Sequence, residues 1–420
     1  MKHVMAKVSK VSITVILSSI SIILIALSVR TCLTGGDDSN VEPQETKVNI
    51  DTILQNRIDS FVQTVPYVGR LGLMVYDATA REEVYSLNAD SLMSPASCMK
   101  LLTCVTAIKK FGLSAQHKTR LYISGTTKGD TLRGNITLKT QFDPFFTRDS
   151  LYLLTELLPV QGIRKLEGRV VIDMADYDLL SHEAHWTPGD LRTRYLGLPF
   201  AGSSRMRKEV IYALARVGIS VKPDDVVFGR LDYANSTQVG IITSPMQFSF
   251  LKALKNSSNI NAEALLYPLG YTKSTKGHFR RNGLHVLRDF VKNELRMDPA
   301  TSCVIEDGCG LCPHAKLTPR LLCNLLDYAY RNKFIYKELL ADLPLSGTDG
   351  TLYDRLYKPS VKGRVHAKTG TLTRDGGICT LSGYFTTKAG HLIIFSILNN
   401  ECPVMDGRWW QDKFLTRIID

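Results

Sequence analysis

The sequence predicts a mixed α/β (α+β) fold in which a five-stranded antiparallel sheet, flanked by helices, is interrupted by a β-rich insert. Three observations carry this. Two short strand patterns lie near the start of the folded body, three more lie near the C-terminus, and the character of the chain changes near Ser114. At 420 residues the chain exceeds one average domain. Its 44% hydrophobic and 22% charged residues are those of an ordinary globular protein rather than a repeat array or a disordered chain.

The elements follow in order. Lys2, His3, Lys7 and Lys10 precede an uncharged, mostly apolar run at 11–29, roughly the 20 residues that cross a hydrocarbon core as a helix. Positive charge before the run keeps the N-terminus cytoplasmic and sends the rest across. The expectation is a cytoplasmic stub and membrane anchor at 1–30, with a cleaved signal peptide as its rival and lipidation at Cys32 disfavoured by Arg30 and Thr31. Residues 31–47 are rich in Gly, Asp, Ser, Pro and Glu and read as a tether.

An amphipathic helix is expected at 50–65, strands at 71–76 and 83–87 with a turn at 77–80, and three C-terminal strands at 363–372, 378–386 and 390–398. A final helix at 407–419 would lay Trp409, Trp410, Phe414 and Leu415 on one sheet face. Between these ends, helical patterning at 246–269 and 319–329 belongs to the main body. The insert at 114–240 shows strands at 120–124, 132–139 and 168–172, a polar turn at 126–130 and one helix at 149–161. The main body is thus discontinuous, 48–113 with 241–420.

The formal net charge of +12 suits a solvated basic surface or attraction to anionic wall polymer or lipid. No zinc-finger spacing, recognition motif or basic–aromatic interleaving points to nucleic acid. Nine cysteines, an odd number, compel no disulfide framework in an exported chain. Cys309 and Cys312 have C-x-x-C spacing without a second ligand pair, so buried thiols are expected rather than a metal site, and no metal or other cofactor is called for.

Chemistry enters at Ser97-Cys98-Met99-Lys100. These residues open a helical stretch with Ser94 suited to the N-cap, Pro95 to the first position and Phe111-Gly112 to the end. Residues three apart share a helix face, so Ser97 can reach the Lys100 amine, with Cβ atoms about 5–6 Å apart. A lysine made neutral by burial can take the serine proton. Lys368-Thr369-Gly370-Thr371 ends a predicted strand, where Gly370 would let a substrate backbone lie close. Lys368 and the hydroxyls of Thr369 and Thr371 offer a seat for a carboxylate. Ser257-Ser258-Asn259, with Asn256 or Ser257 as a helix cap, supplies a third polar cluster.

The order S-x-x-K, S-x-N, K-T-G resembles that of penicillin-recognising serine enzymes. The flanking text is more specific: M-S-P-A-S-C-M-K-L-L-T at 93–103, D-G-C-G-L at 307–311, L-T-P-R at 317–320, L-P-L-S-G-T-D-G-T-L at 343–352 and V-H-A-K-T-G-T-L at 365–372. From about residue 50 to the C-terminus the chain is similar to the class C low-molecular-mass penicillin-binding proteins, the DacB-type D-alanyl-D-alanine carboxypeptidase/endopeptidases. That resemblance implies a transpeptidase-like fold and a hydrolase that trims peptidoglycan peptides through an acyl-enzyme in the cell envelope, with β-lactams as inhibitors. It also implies roles: Ser97 the nucleophile, Lys100 its base, Ser257 a proton relay, Asn259 a holder of the substrate peptide, and Lys368, Thr369 and Thr371 the carboxylate seat. The backbone N–H groups of Ser97 and Thr371 would form the oxyanion hole. Two departures stand out, Ser258 where the family has Asp and Gln141-Phe142-Asp143-Pro144 where it has G-G-D-P. The alternatives are a β-lactamase or esterase on the same scaffold, separated by fast release of bound penicillin, and a non-catalytic wall-binding or antibiotic-sensing protein.

Overall fold

In the computed structural model the described residues are 52–175, 179, 185–186, 197–271 and 278–419. The expected anchor and tether, residues 1–47, lie outside them, and no helix among the described residues is long and apolar enough to cross a membrane.

Helix α1 (Thr52–Thr64) leads into strands β1 (Arg70–Asp77) and β2 (Glu82–Leu87), then helix α2 (Met99–Phe111). Strands β3 (Gln116–Lys128) and β4 (Thr131–Lys139), helix α3 (Arg148–Thr155), strands β5 (Lys165–Glu167) and β6 (Val170–Asp173), helix α4 (Ser203–Arg216), and strands β7 (Val226–Phe228) and β8 (Ser236–Pro245) follow. Helices α5 (Met246–Lys255), α6 (Asn259–Gly270) and α7 (Phe279–Asn293) precede the two-residue strands β9 (Cys303–Val304) and β10 (Lys316–Leu317). Helices α8 (Pro319–Arg331) and α9 (Lys333–Asp342), strands β11 (Val365–Leu372), β12 (Ile378–Thr386) and β13 (Leu392–Asn400), and helix α10 (Val404–Ile419) complete the chain.

The main sheet has five strands in the order β11-β12-β13-β1-β2, with antiparallel neighbours throughout, as expected. Both its faces are buried, which explains why β13 reads L-I-I-F-S-I-L without polar alternation. Leu73, Val75, Leu381, Phe395 and Ile397 meet α1 and α10 on one face. Met74, Tyr384, Ile394 and Leu398 meet α2, α6 and α8 on the other. In α10, Trp410, Phe414 and Leu415 are buried but Trp409 is half exposed, with Lys413 Nζ 4.0 Å above its ring. Neighbouring helical residues diverge by about 100°, so two adjacent tryptophans cannot share one face.

A second, six-stranded sheet is built on the path β7-β6-β4-β3-β8, with β5 beside β4. It extends to Pro245, past the expected boundary at 240, because β8 pairs with β3 as far as Pro245↔Gln116. The region holds more helix than expected. Helix α4 covers the sheet with Met206, Val210, Ala213 and Leu214, and the anticipated helix at 149–161 is split at Glu156. Helices α7 and α9 were also not anticipated within the main body.

Candidate active site

The nucleophile turn differs from the predicted cap. Helix α2 begins at Met99, and Ala96–Cys98 form a 3-10 turn before it. Ser94 does not cap the helix. Its backbone N–H and C=O are instead held by the Asn400 side-chain amide at 2.7 and 3.1 Å. Ala96 sits at φ +43°, a left-handed conformation disfavoured for alanine and one that persists only when the surroundings enforce it. Two glycines provide the room. A Cβ at Gly310 would strike the Ala96 carbonyl, and one at Gly370 would strike the Thr380 hydroxyl and come within 3.0 Å of Ala96 Cβ. Gly370 therefore makes room for the serine's own turn.

Lys100 is wholly buried, and its Nζ has three neighbours: Ser97 Oγ at 2.8 Å, Asn259 Oδ1 at 2.8 Å and the Cys309 carbonyl at 2.6 Å. Burial pushes its pKa down, opposed by Cys309, Asp307 and Glu263. The Cys309 carbonyl is aimed by a tight turn. Asp307, itself buried, accepts the backbone N–H groups of Gly310, Leu311 and Cys312 at 2.7–2.8 Å. Glu263 accepts the Gly308 N–H at 3.0 Å, and Thr103 donates to the Gly308 carbonyl at 2.7 Å. Glu263 lies one turn after Asn259 on α6, so one helix face presents both to the lysine. Ligand atoms of Glu263, Asp307 and Cys309 lie within 4.8 Å of one another, the donor set of a candidate metal site. Both Asp307 oxygens are already committed to backbone N–H groups, so the cluster is built as a scaffold for Lys100.

Ser257 and Lys368 form the opposite wall. Ser257 lies at φ +57° in the break between α5 and α6, and Ser258, not Asn256 or Ser257, caps α6. The Ser258 hydroxyl accepts from Asn261 Nδ2 at 2.9 Å, which supplies the local rigidity that the missing Asp left open. Buried Lys368 donates to Ser257 Oγ at 2.9 Å and to the Thr369 carbonyl at 2.8 Å, and burial with the Lys100 charge lowers its pKa to about 7. Strand alternation divides the expected carboxylate seat. Lys368 and Gly370 face α2, whereas Thr369 and Thr371 share the face of Val365 and Ala367. There Thr369 Oγ1 meets Thr351 Oγ1 at 2.6 Å, and Arg408 Nη2 donates to Thr371 Oγ1 at 3.2 Å. Cys98 is sealed beneath the strand, its thiol 3.3 Å from the Lys368 carbonyl and pushed up in pKa by burial. Cys309 and Cys312 are both buried thiols.

Residues 54–203 and 199–414 match the model of the D-Ala-D-Ala carboxypeptidase 3 (S13) family. The chain belongs to that family. It is a serine-type D-alanyl-D-alanine carboxypeptidase, a hydrolase working through an acyl-enzyme. A D-alanyl-D-alanine carboxypeptidase DacB of Haemophilus influenzae is 21% identical over 83% of this chain and 88% of its own length. The crystal structure of penicillin-binding protein 4 from the same species, complexed with a β-lactam, superposes with a TM-score of 0.71 at 19% identity over 87% of this chain and 99% of that one. A predatory endopeptidase of Bdellovibrio bacteriovorus, solved with an immunity protein, gives a TM-score of 0.53 at 19% identity, covering 78% and 86%. Those two structures share the fold.

Within this S13 enzyme, sequence reasoning missed the groups that aim the motif residues. Asp307 and Cys309 stood inside a recognised string without a role. Glu263 had a signal, its i, i+4 spacing from Asn259. Thr351 likewise stood inside the string at 343–352 without a role, whereas Thr380 and Arg408 gave no signal, because their relation to the strand β11 exists only in three dimensions.

Proposed function

We propose that Ser97 is the acylated nucleophile and Lys100 its general base in removing, or cutting behind, a terminal D-alanine of peptidoglycan peptides. One observation carries the reading. Asn259 Oδ1 and the Cys309 carbonyl can only accept, so a neutral Lys100 gives them its two N–H bonds. Its lone pair then points at the third neighbour, Ser97 Oγ. The serine proton passes to Nζ as Oγ attacks the peptide carbonyl carbon. The backbone N–H groups of Ser97 and Thr371 receive the oxyanion, typically worth a few kcal/mol. The C–N bond then breaks as the proton taken up by Lys100 reaches the departing amine by way of Ser257, which gives its own hydroxyl proton to the amine and receives one in its place, while Lys368 donates a hydrogen bond to its oxygen. Water hydrolyses the ester and restores the serine.

Asn259 holds the peptide, and Lys368, Thr369, Gly370 and Thr371 line the strand along which it lies. The first half of that strand's outer edge is covered, since Ala367 N–H donates to the Pro344 carbonyl at 3.0 Å. Beyond it a substrate strand can extend the sheet. β-Lactams enter as substrate mimics. Residues 48–113 and 246–420 form the catalytic part and 114–245 the insert, whose sheet runs to Pro245. The run at 11–29 holds the enzyme to the cytoplasmic membrane with its body outside, a reading supported by the lysines before it.

The test is mass spectrometry of the ectodomain after exposure to a penicillin. A stable adduct on Ser97, absent from Ser97→Ala, is expected. Label persisting in Ser97→Ala, or moving to Cys98, overturns the assignment, and rapid release of the adduct as hydrolysed penicillin would indicate a β-lactamase instead.

A further inference from the structure

Ser257, in the break between α5 and α6, occupies a conformation disfavoured for serine. Its φ of +57° lies in the left-handed region, which a side chain holds only when its surroundings enforce it. One enforcing contact is local, the Ser258 N–H closing on the Lys252 carbonyl at 3.0 Å. The other comes from distant sequence. Lys255 ends α5 two residues before Ser257, and its Nζ lies 2.9 and 3.1 Å from the two carboxylate oxygens of Asp349 and 2.5 Å from the Leu343 carbonyl. Each of the three ammonium donors thereby has an acceptor. The Lys255 side chain is only 15% exposed, so this is not the loose surface pair that contributes little.

The acceptors belong to the segment 343–352, which is itself fixed to the K-T-G strand. Asp349 accepts the Leu345 N–H at 2.8 Å, the Ser346 N–H donates to the Val365 carbonyl at 2.9 Å, and Thr351 meets Thr369 at 2.6 Å. Gly350 closes the joint, since a Cβ there would lie 2.7 Å from the Lys255 carbonyl oxygen and 2.9 Å from its Cδ. Against the effect of partial burial, the bonds from Lys255 and from the Leu345 N–H hold the Asp349 carboxyl below its ordinary range, so the pair is charged at neutral pH. The wall that carries Ser257 is thus tied to the wall that carries Lys368, whose Nζ is 2.9 Å from Ser257 Oγ.

We propose that Lys255 and Asp349 are positioning residues for the proton relay: their ion pair holds Ser257 in its left-handed turn and so fixes its hydroxyl between Lys368 and the departing amine. This rests on the reading of Ser257 as the relay. An amine cannot leave without a proton, whereas a thiolate can, since a thiol ionises near pH 8.5 at about the working range. A displaced Ser257 therefore slows cleavage of an amide and spares a thioester, while a general loss of structure slows both.

The experiment compares wild type, Lys255→Met, Asp349→Asn, Ser257→Ala and the double variant Lys255→Met/Ser257→Ala. The substrates are a D-alanyl-D-alanine pentapeptide and the same peptide with sulfur in place of the scissile nitrogen. The amide-to-thioester ratio in kcat/KM should fall about ten-fold or more in Lys255→Met and in Asp349→Asn, which removes the charge but keeps an acceptor for the Leu345 N–H. The double variant should fall no further than Ser257→Ala, because both changes act on one proton. A ratio within two-fold of wild type in Lys255→Met, beside a lowered ratio in Ser257→Ala, overturns the positioning role and leaves the relay standing. Should Lys255→Met not fold, Asp349→Asn decides by the same ratio. A further drop in the double variant beyond Ser257→Ala also overturns the role. An unchanged ratio in Ser257→Ala overturns the relay reading, and the proposal with it.

Discussion

Lys100 and Lys368 are both wholly buried, and burial disfavours the charge on each. Their neighbours separate their tasks. Lys100 meets two pure acceptors and one hydroxyl, which leaves a lone pair for Ser97. Lys368 meets a hydroxyl and a carbonyl, which makes it a donor to Ser257. Acylation should therefore rise with pH as Lys100 loses its proton, with a midpoint below the ordinary lysine value of about 10.4. Lys100→Arg should fold yet acylate at least about a hundred-fold more slowly, since a guanidinium cannot deprotonate at working pH. Stopped-flow acylation by a fluorescent penicillin across pH 6 to 10 measures both, and near-normal acylation in the variant would remove lysine from the mechanism.

At the scale of the element, helix α9 carries a buried conflict. Asp342 and Glu338 lie one turn apart, both buried, and Asp342 Oδ2 and Glu338 Oε1 have no hydrogen-bond partners. Burial, reinforced by Glu338, raises Asp342 to a pKa of about 7. The unfolded value is about 3.9. The native state thus binds the extra proton between these values, and the stability Asp342 contributes is full below about pH 4 and lost as pH rises through about 7. Asp342→Asn removes that dependence. Its melting temperature relative to wild type should climb between pH 4 and pH 8, and a constant difference would show that the carboxyl is not protonated in the fold. The turn at 307–312 shows the opposite economy of charge, one carboxylate satisfying three buried N–H groups so that the carbonyl facing Lys100 keeps its direction.

Over the whole molecule, the insert and the catalytic part are joined by a shared aromatic cluster. Phe142 packs on Tyr267 and Phe279 at centroid separations of 5.7 and 5.0 Å, and Phe200 stacks on Tyr267 at 6.3 Å. Residues 47–420 accordingly form a single compact unit. Phe142→Ala should cost about 3–5 kcal/mol, a buried ring removed from a close-packed site. The loss should shift one cooperative transition without splitting it. Urea unfolding followed by far-UV circular dichroism and by tryptophan fluorescence tests this, and separated midpoints would show the insert unfolding by itself.

Local chemistry made much of this protein legible in its residues. The apolar runs of β1, β12 and β13 announced strands, and S-x-x-K placed a hydroxyl and an amine on one helical face, because both signals depend on repeats of two to four residues. The sequence also identified the K-T-G strand and the S-x-N break between helices as parts of one site. Tertiary structure alone decided what those residues face. It turned Gly370 toward the serine's turn, set Ser258 rather than Ser257 as the cap, split Lys368 from Thr369 and Thr371 across a strand, and brought Cys309 to Lys100 and Arg408 to Thr371. Those partners are separated in sequence by 209 and 37 residues, and no local periodicity reports which distant chain segments pack together.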